Sequence, residues 1–219
     1  MDNTSDKSMD TKQESTKKPD EQQGLNIEGY IKIFDPESGT VYVDKKNAIH
    51  YENFSVALAK SIANRTTGYI EEMHFGNGGT TVDTAGIITY LTPNSSGDNA
   101  NLYNKTYSKS VNDTSSLNTD TSRNKITTSH TNGTTYTDVI VTALLDFGEP
   151  AGQSAFDNTT TLNDTFVFDE LGLFSWEGSA GEGNLLTHVI FHPVQKSLNR
   201  LIQIDYTIRI QSLTNFVDV

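Results

Sequence analysis

The residues of this chain best suited to chemistry are a glycine-rich loop, five histidines and a scatter of carboxylates. The loop is HFGNGGT, His74 to Thr80. Such loops hold phosphates when their amides converge at the start of a helix. A Walker loop also needs Lys before its Ser or Thr, and here Thr80 follows Gly79 with no Lys. A dinucleotide fingerprint needs another glycine at 81, which is Thr, and the following TVDTAGIITYL reads as strand where the fingerprint opens a helix. The expectation is a turn whose glycines supply positive φ, with no cofactor bound.

His188 and His192 have the i, i+4 spacing of two zinc ligands on a helix. However, THVIFHP is β-branched and aromatic, with no Glu between the histidines. In a strand their Cα atoms stand ~13 Å apart, too far to share one metal. His50 and His74 are isolated in the sequence and His130 sits in a polar region. Structural or surface roles are expected for all five, and no metal site.

Asp83, Asp164, Asp169 and Glu170 each border a strand pattern. Two carboxylates ~5–9 Å apart can hydrolyse a glycoside. Among 28 acidic residues such pairs also arise by chance, and no Gly-x-Ser-x-Gly elbow is present. The loops around Asp98 and Asp113 lack the spacing of a calcium-binding EF-hand, and DNTTTLNDT reads as a solvated turn. Tyr90, Tyr103, Tyr107, Tyr136 and Trp176 suit a sugar-stacking face, although a lone Trp among strands more commonly anchors a core or interface. There are no cysteines, hence no disulfide, thiolate metal site or cysteine nucleophile. No catalytic, cofactor-binding or metal-ligating residue is assigned, and the chain is not expected to be an enzyme.

The elements around these residues are mostly strands. GYIKIFD alternates, Tyr30, Lys32 and Phe34 one way and Ile31 and Ile33 the other; after PESGT, VYVD resumes the pattern, giving a hairpin over 29–44. Residues 47–63 form the one helix, with Tyr51, Phe54, Leu58 and Ile62 on a stripe and Asn47 or Asn53 as cap. YIEEMHF and AGIITYL read as strands, and TPNSSGDNAN as a long loop. TDVIVTALLDF and NLLTHVIFHPVQ read as strands, NDTFVFDELGLFSW as one or two. Residues 103–137 are rich in Thr, Ser and Asn, which fits weak edge strands or a projecting loop. RLIQIDYTIRIQ carries the strongest signal: Ile202, Ile204, Tyr206, Ile208 and Ile210 alternate with polar residues along a strand of more than ~30 Å. The fold class expected is mainly β: an antiparallel sandwich or barrel-like domain over 25–219, with one packed helix.

Composition bounds the rest. Of 219 residues only 34% are hydrophobic, and the net charge is −12. An acidic chain repels phosphates, so binding to nucleic acid by broad charge attraction is excluded. No apolar run approaches the ~20 residues that cross a bilayer, and the first residues have no apolar centre that would make a secretory signal. Residues 1–24 are polar and charged, and read as an extended arm that orders on docking to a neighbour. The chain is expected to be made in a cytoplasm.

The run GYIKIFDPESGTVYVDKKNAIHYENFSVALAKSIA, then YIEEMHFGNGGTTVD and later FVFDELGLFSW, resembles virion structural proteins of tailed bacteriophages. The likeness covers residues 29–90 well and 160–210 loosely. It implies a particle component made in the host cytoplasm and built into the virion. A homo-oligomer at the neck or collar is the first choice, and a tail, baseplate or fibre-associated component the second. Its partners would be identical subunits and other neck or tail proteins. The likeness brings no catalytic residues.

Overall fold

The structure, a computed structural model, describes residues 24–97, 99–152 and 166–213. The arm proposed for 1–24, except Gly24, lies outside the described residues, as do Asp98 and Asp164.

The chain opens with a hairpin of β1 (Gly24–Phe34) and β2 (Val41–Ile49). Its turn is built by Asp35, whose Oδ1 accepts the amides of Glu37 at 2.8 Å and Ser38 at 3.2 Å. The hairpin is longer than 29–44, because β1 keeps pairing with the last strand back to Gly24 and β2 runs on to Ile49. Gly24, assigned by its sequence to the arm, is therefore part of the sheet.

That extension corrects the helix. α1 spans Tyr51–Ile62. Asn47 cannot start it, since it pairs with Gly29 in β2. Gly29 lacks the Cβ that would sit 1.7 Å from the Asn47 Oδ1, so the two must stay together. The cap is His50, whose Nδ1 accepts the Asn53 amide at 3.3 Å. The expected stripe is also narrower. Phe54 and Ala57 are buried, whereas Tyr51 and Ile62 are 61% and 78% exposed.

The remaining strands are β3 (Ile70–Gly76), β4 (Thr80–Val82), β5 (Ile88–Tyr90), β6 (Lys105–Ser110), β7 (Lys125–His130), β8 (Tyr136–Leu145), β9 (Val167–Ser175), β10 (Leu185–Gln195) and β11 (Ile202–Leu213). Nine of the eleven described strands form one antiparallel sheet in the order β6-β3-β9-β10-β2-β1-β11-β8-β7, and β4 and β5 form a separate ribbon. The large sheet curls into a half-barrel, so the fold is mainly β, barrel-like, with one packed helix. The Thr/Ser/Asn-rich region supplies β6 and β7, the two edge strands, as one of its two readings anticipated.

The core lies inside the curl. β11 contributes Ile202, Ile204, Tyr206 and Ile208, each at most 2% exposed, while Gln203, Asp205, Thr207 and Arg209 stay half-buried on the other face. Each buried Ile contributes about 1.5–3 kcal/mol. Leu171 and Leu173 of β9, Val189 and Phe191 of β10 and Val141 of β8 complete the cluster, and Phe54 and Ala57 of α1 pack onto it. β9 is buried along its whole length, because the core covers one face and the chain between β3 and β6 covers the other. Two of its residues are carboxylates.

Candidate functional site: a carboxylate cradle on the outer face

Phe168 and Leu171 of β9 both lie in the core cluster. The two residues between them, Asp169 and Glu170, break the in-and-out alternation opposite a register shift in β10. Both are buried, at 2% and 0% exposure. A buried carboxylate must be hydrogen-bonded to persist, and the glycine loop supplies the donors. Asp169 Oδ1 accepts the Gly79 amide at 2.9 Å. Its Oδ2 accepts the Thr80 amide at 2.9 Å and the Thr80 hydroxyl at 2.5 Å. Glu170 Oε1 accepts the amides of Gly78 at 3.1 Å and Asn104 at 2.8 Å. Its Oε2 accepts the Tyr103 amide at 2.9 Å and His188 Nε2 at 3.0 Å.

The glycine loop is thus an anion cradle, and its anions belong to the chain itself. This corrects the expected role of the glycines. Gly76, Gly78 and Gly79 are absent from the positive-φ residues. They are glycine because a side chain would collide: a Cβ at Gly76 would lie 2.5 Å from both the Asn104 carbonyl and Glu170 Oε1, and one at Gly78 2.7 Å from the Asn104 nitrogen.

Burial pushes the Asp169 carboxyl up, against the pull of Thr80 and Gly79. Burial also pushes Glu170 up, but the hydrogen bonds from His188, Asn104, Tyr103 and Gly78 outweigh it and hold it below the usual glutamate range. Glu170 therefore stays ionised, and Asp169 is tied to three donors. All four oxygens of the two carboxylates thus accept from donors of the chain itself.

A second buried pair lies alongside. His74 Nε2 is 2.9 Å from Glu72 Oε2 and 3.4 Å from Lys105 Nζ, and its ring stacks on Phe174 with centroids 3.8 Å apart. Burial depresses the imidazole pKa, and its Nδ1 has no partner. Glu72 also accepts the Gly181 amide at 2.9 Å.

The other candidates disperse. His188 is buried and His192 exposed, the latter 3.2 Å from the Tyr90 hydroxyl. Asp83 holds the β4–β5 turn through the amides of Ala85 and Ile87, and Asp113 accepts the Ile126 amide. Among the described residues no group of three or more His, Asp or Glu is placed to hold a metal ion. Tyr90 and Tyr103 are exposed on the outer face, but Tyr107 packs against Phe75 in the core and Tyr136 stacks under Arg209 at 3.9 Å. Trp176 is half-buried at the end of β9, outside the core clusters. The five aromatics form no common face.

Sequence reasoning passed over two buried groups, Glu71 and Lys196, and named His50 without its capping role. Glu71 accepts from Ser110 and Asn112, both at 2.9 Å. His50 caps α1. The Lys196 amine, pushed down to about 8 by burial, donates to the Ser197 carbonyl at 2.9 Å. The usable signal was the run of charge in EEMH, inside a strand with no room for solvated side chains. An apolar cavity of about 500 Å3 lies between α1 and the sheet, lined by Phe54, Leu58, Ile70, Val139, Leu186 and Ile210 among others.

Comparisons with protein-family models, curated proteins and solved structures found no match to this chain.

Proposed function

We propose that the chain is a structural subunit of a tailed-phage particle, assembling with copies of itself at the neck or collar between head and tail. The phage assignment rests on the resemblance of residues 29–90 and 160–210. The observation that supports a role in assembly is the pair of sheet edges: β6 and β7 are each paired on one side only. Such edges are templates for a strand from another subunit. The Ile126 amide turns away from β8 toward Asp113 Oδ1 at 3.2 Å. By the two-residue alternation of an antiparallel ladder, the amides of Thr128 and His130 face outward too. The acidic surface keeps subunits soluble before they join.

Two experiments test this. The chain should be found in purified particles, where cryo-electron microscopy would place it; absence from them overturns the reading. Thr128→Pro removes one outward donor and leaves the bonds to β8 intact. It should weaken self-association, measured by light scattering, with little change in melting temperature. Unchanged self-association would remove β7 from the interface.

The second reading is a tail, baseplate or fibre-associated subunit that also binds carbohydrate. It is favoured by Tyr90 and Tyr103, 50% and 45% exposed. A glycan array with no binding, or binding indifferent to Tyr90→Ala, counts against it.

A further inference from the structure

We propose that the segment Leu91–Gly97 is a strap over the outer face that is latched at its midpoint by neutral His188 and released there by acid. His188 and His50 are both fully buried. The Asn94 amide donates to His188 Nδ1 at 2.8 Å. That nitrogen must carry a lone pair, so the ring proton sits on Nε2, which donates to Glu170 Oε2 at 3.0 Å. His50 repeats the arrangement. Its Nδ1 accepts the Asn53 amide at 3.3 Å, and its Nε2 donates to the Gly97 carbonyl at 3.1 Å. Backbone amides only donate and carbonyls only accept, so both tautomers are fixed by the chain itself.

A proton arriving at either ring has one vacant nitrogen, Nδ1, and there it meets a backbone N–H. At His188 the imidazolium displaces Asn94, the midpoint of the strap. At His50 the proton opposes the cap of α1, while Nε2 keeps donating to the Gly97 carbonyl, so the strap is released at Asn94 and stays tied at Gly97. The remaining ties are neutral: the Leu91 amide to the Gly79 carbonyl at 2.9 Å, the Tyr103 hydroxyl to the Thr92 carbonyl at 2.8 Å, the Asn94 side-chain amide to the Asn101 carbonyl at 2.6 Å and the Ala100 amide to the Gly97 carbonyl at 3.1 Å.

Glu170, from β9, faces His188 and gives the imidazolium a counter-charge; the Tyr103 ring lies 5.8 Å away. Asp169 of β9, Glu72 and His74 of β3 and Lys105 of β6 are the other ionisable groups of that face. His50 meets Asn53 of α1 and the Leu186 backbone of β10, and its hydrogen bonds include no charged group. Next to the strap lies a small apolar cluster of Leu102, Phe174 and Leu185.

The test is hydrogen exchange of the full chain at about pH 7.5 and about pH 5, on either side of the ordinary histidine range, corrected for intrinsic rates. Peptides covering Leu91–Gly97 should lose roughly tenfold or more in protection at the lower pH, while β11 peptides keep theirs. Unchanged strap protection overturns the proposal. So does equal loss in strap and β11, which would be global unfolding. His188→Asn keeps an acceptor for the Asn94 amide but cannot titrate, so it should reduce the response; an undiminished response overturns the role of His188. Should that variant fail to fold, imidazole nitrogen NMR of the unaltered chain decides. The His188 ring must carry its proton on Nε2 at neutral pH, with the Asn94 amide bonded to Nδ1, and any other tautomer ends the idea.

Discussion

Glu170 accepts four hydrogen bonds, three of them from backbone amides with no other acceptor within the loop. Glu170→Gln puts a donor where a donor already points, and each amide left unpaired costs about 1–3 kcal/mol. Chemical denaturation should show a loss of that order, and a loss near zero would mean water replaces the carboxylate. Gly76→Ala should cost about as much, by collision with the Asn104 carbonyl. The folded pKa values of His74, Glu72 and Glu170 all lie below their unfolded ones. These groups therefore stabilise the fold above the unfolded pKa, and that stability is lost as pH falls through the folded one. Stability should decline below about pH 6.5 as His74 is forced to protonate, and more steeply below about 4.5; Asp169, shifted upward, opposes the second step. Urea midpoints against pH check the sequence. The two Asn-Gly pairs should age differently. Asn132 is exposed in the β7–β8 turn, so the Gly133 nitrogen can attack its side-chain carbonyl, closing a succinimide with loss of ammonia. At Asn77, buried and held by Asn104, the Gly78 nitrogen is committed to Glu170. Peptide mapping of protein kept at mildly alkaline pH should find deamidation at Asn132 and none at Asn77. The glycine run was legible as a sharp turn, but its partners were not: Asp169 lies 90 residues along the chain from Gly79. Glycine is required equally for positive φ and for close approach, and the residue type alone does not separate the two.

Strands whose burial follows a simple period could be read directly. β11 is the clearest, with its isoleucines inward and its polar residues half-exposed. Ile204→Ala should cost about 2–5 kcal/mol, and Gln203→Ala about 0.5 kcal/mol or less, measured by thermal melting. Elements that obey a competing demand were misread. The start of α1 looks helical from Asn47, yet β2 claims Asn47, Ala48 and Ile49 for pairing with β1 and β10. His50 then caps the helix although it is outside the usual capping set. β9 offers no alternation to read, because it is covered on both faces and its carboxylates occupy an irregular step. The weak composition of β6 and β7 has a plain physical reason: an edge strand shares only one ladder and packs less side chain than a central one.

At the scale of the molecule, sequence patterns imply an antiparallel β fold but not its order, since the order depends on pairings between distant segments. β3 sits between β6 and β9, and β2 between β1 and β10. Such long-range pairing predicts refolding on a scale of about milliseconds to seconds, which stopped-flow fluorescence of Trp176 can follow. The first and last described strands lie side by side in the middle of the sheet, in register from Gly24 with Leu213 to Phe34 with Gln203. Among the described residues β11 is also the only link from β1 to the β8–β7 ribbon. A ribosome making this protein therefore holds an unfinished sheet until β11 has emerged, and a copy cut short before residue 202 has no centre to close around. Chains terminated before residue 202 should therefore stay unfolded and open to proteases, which limited proteolysis of such a truncation would check.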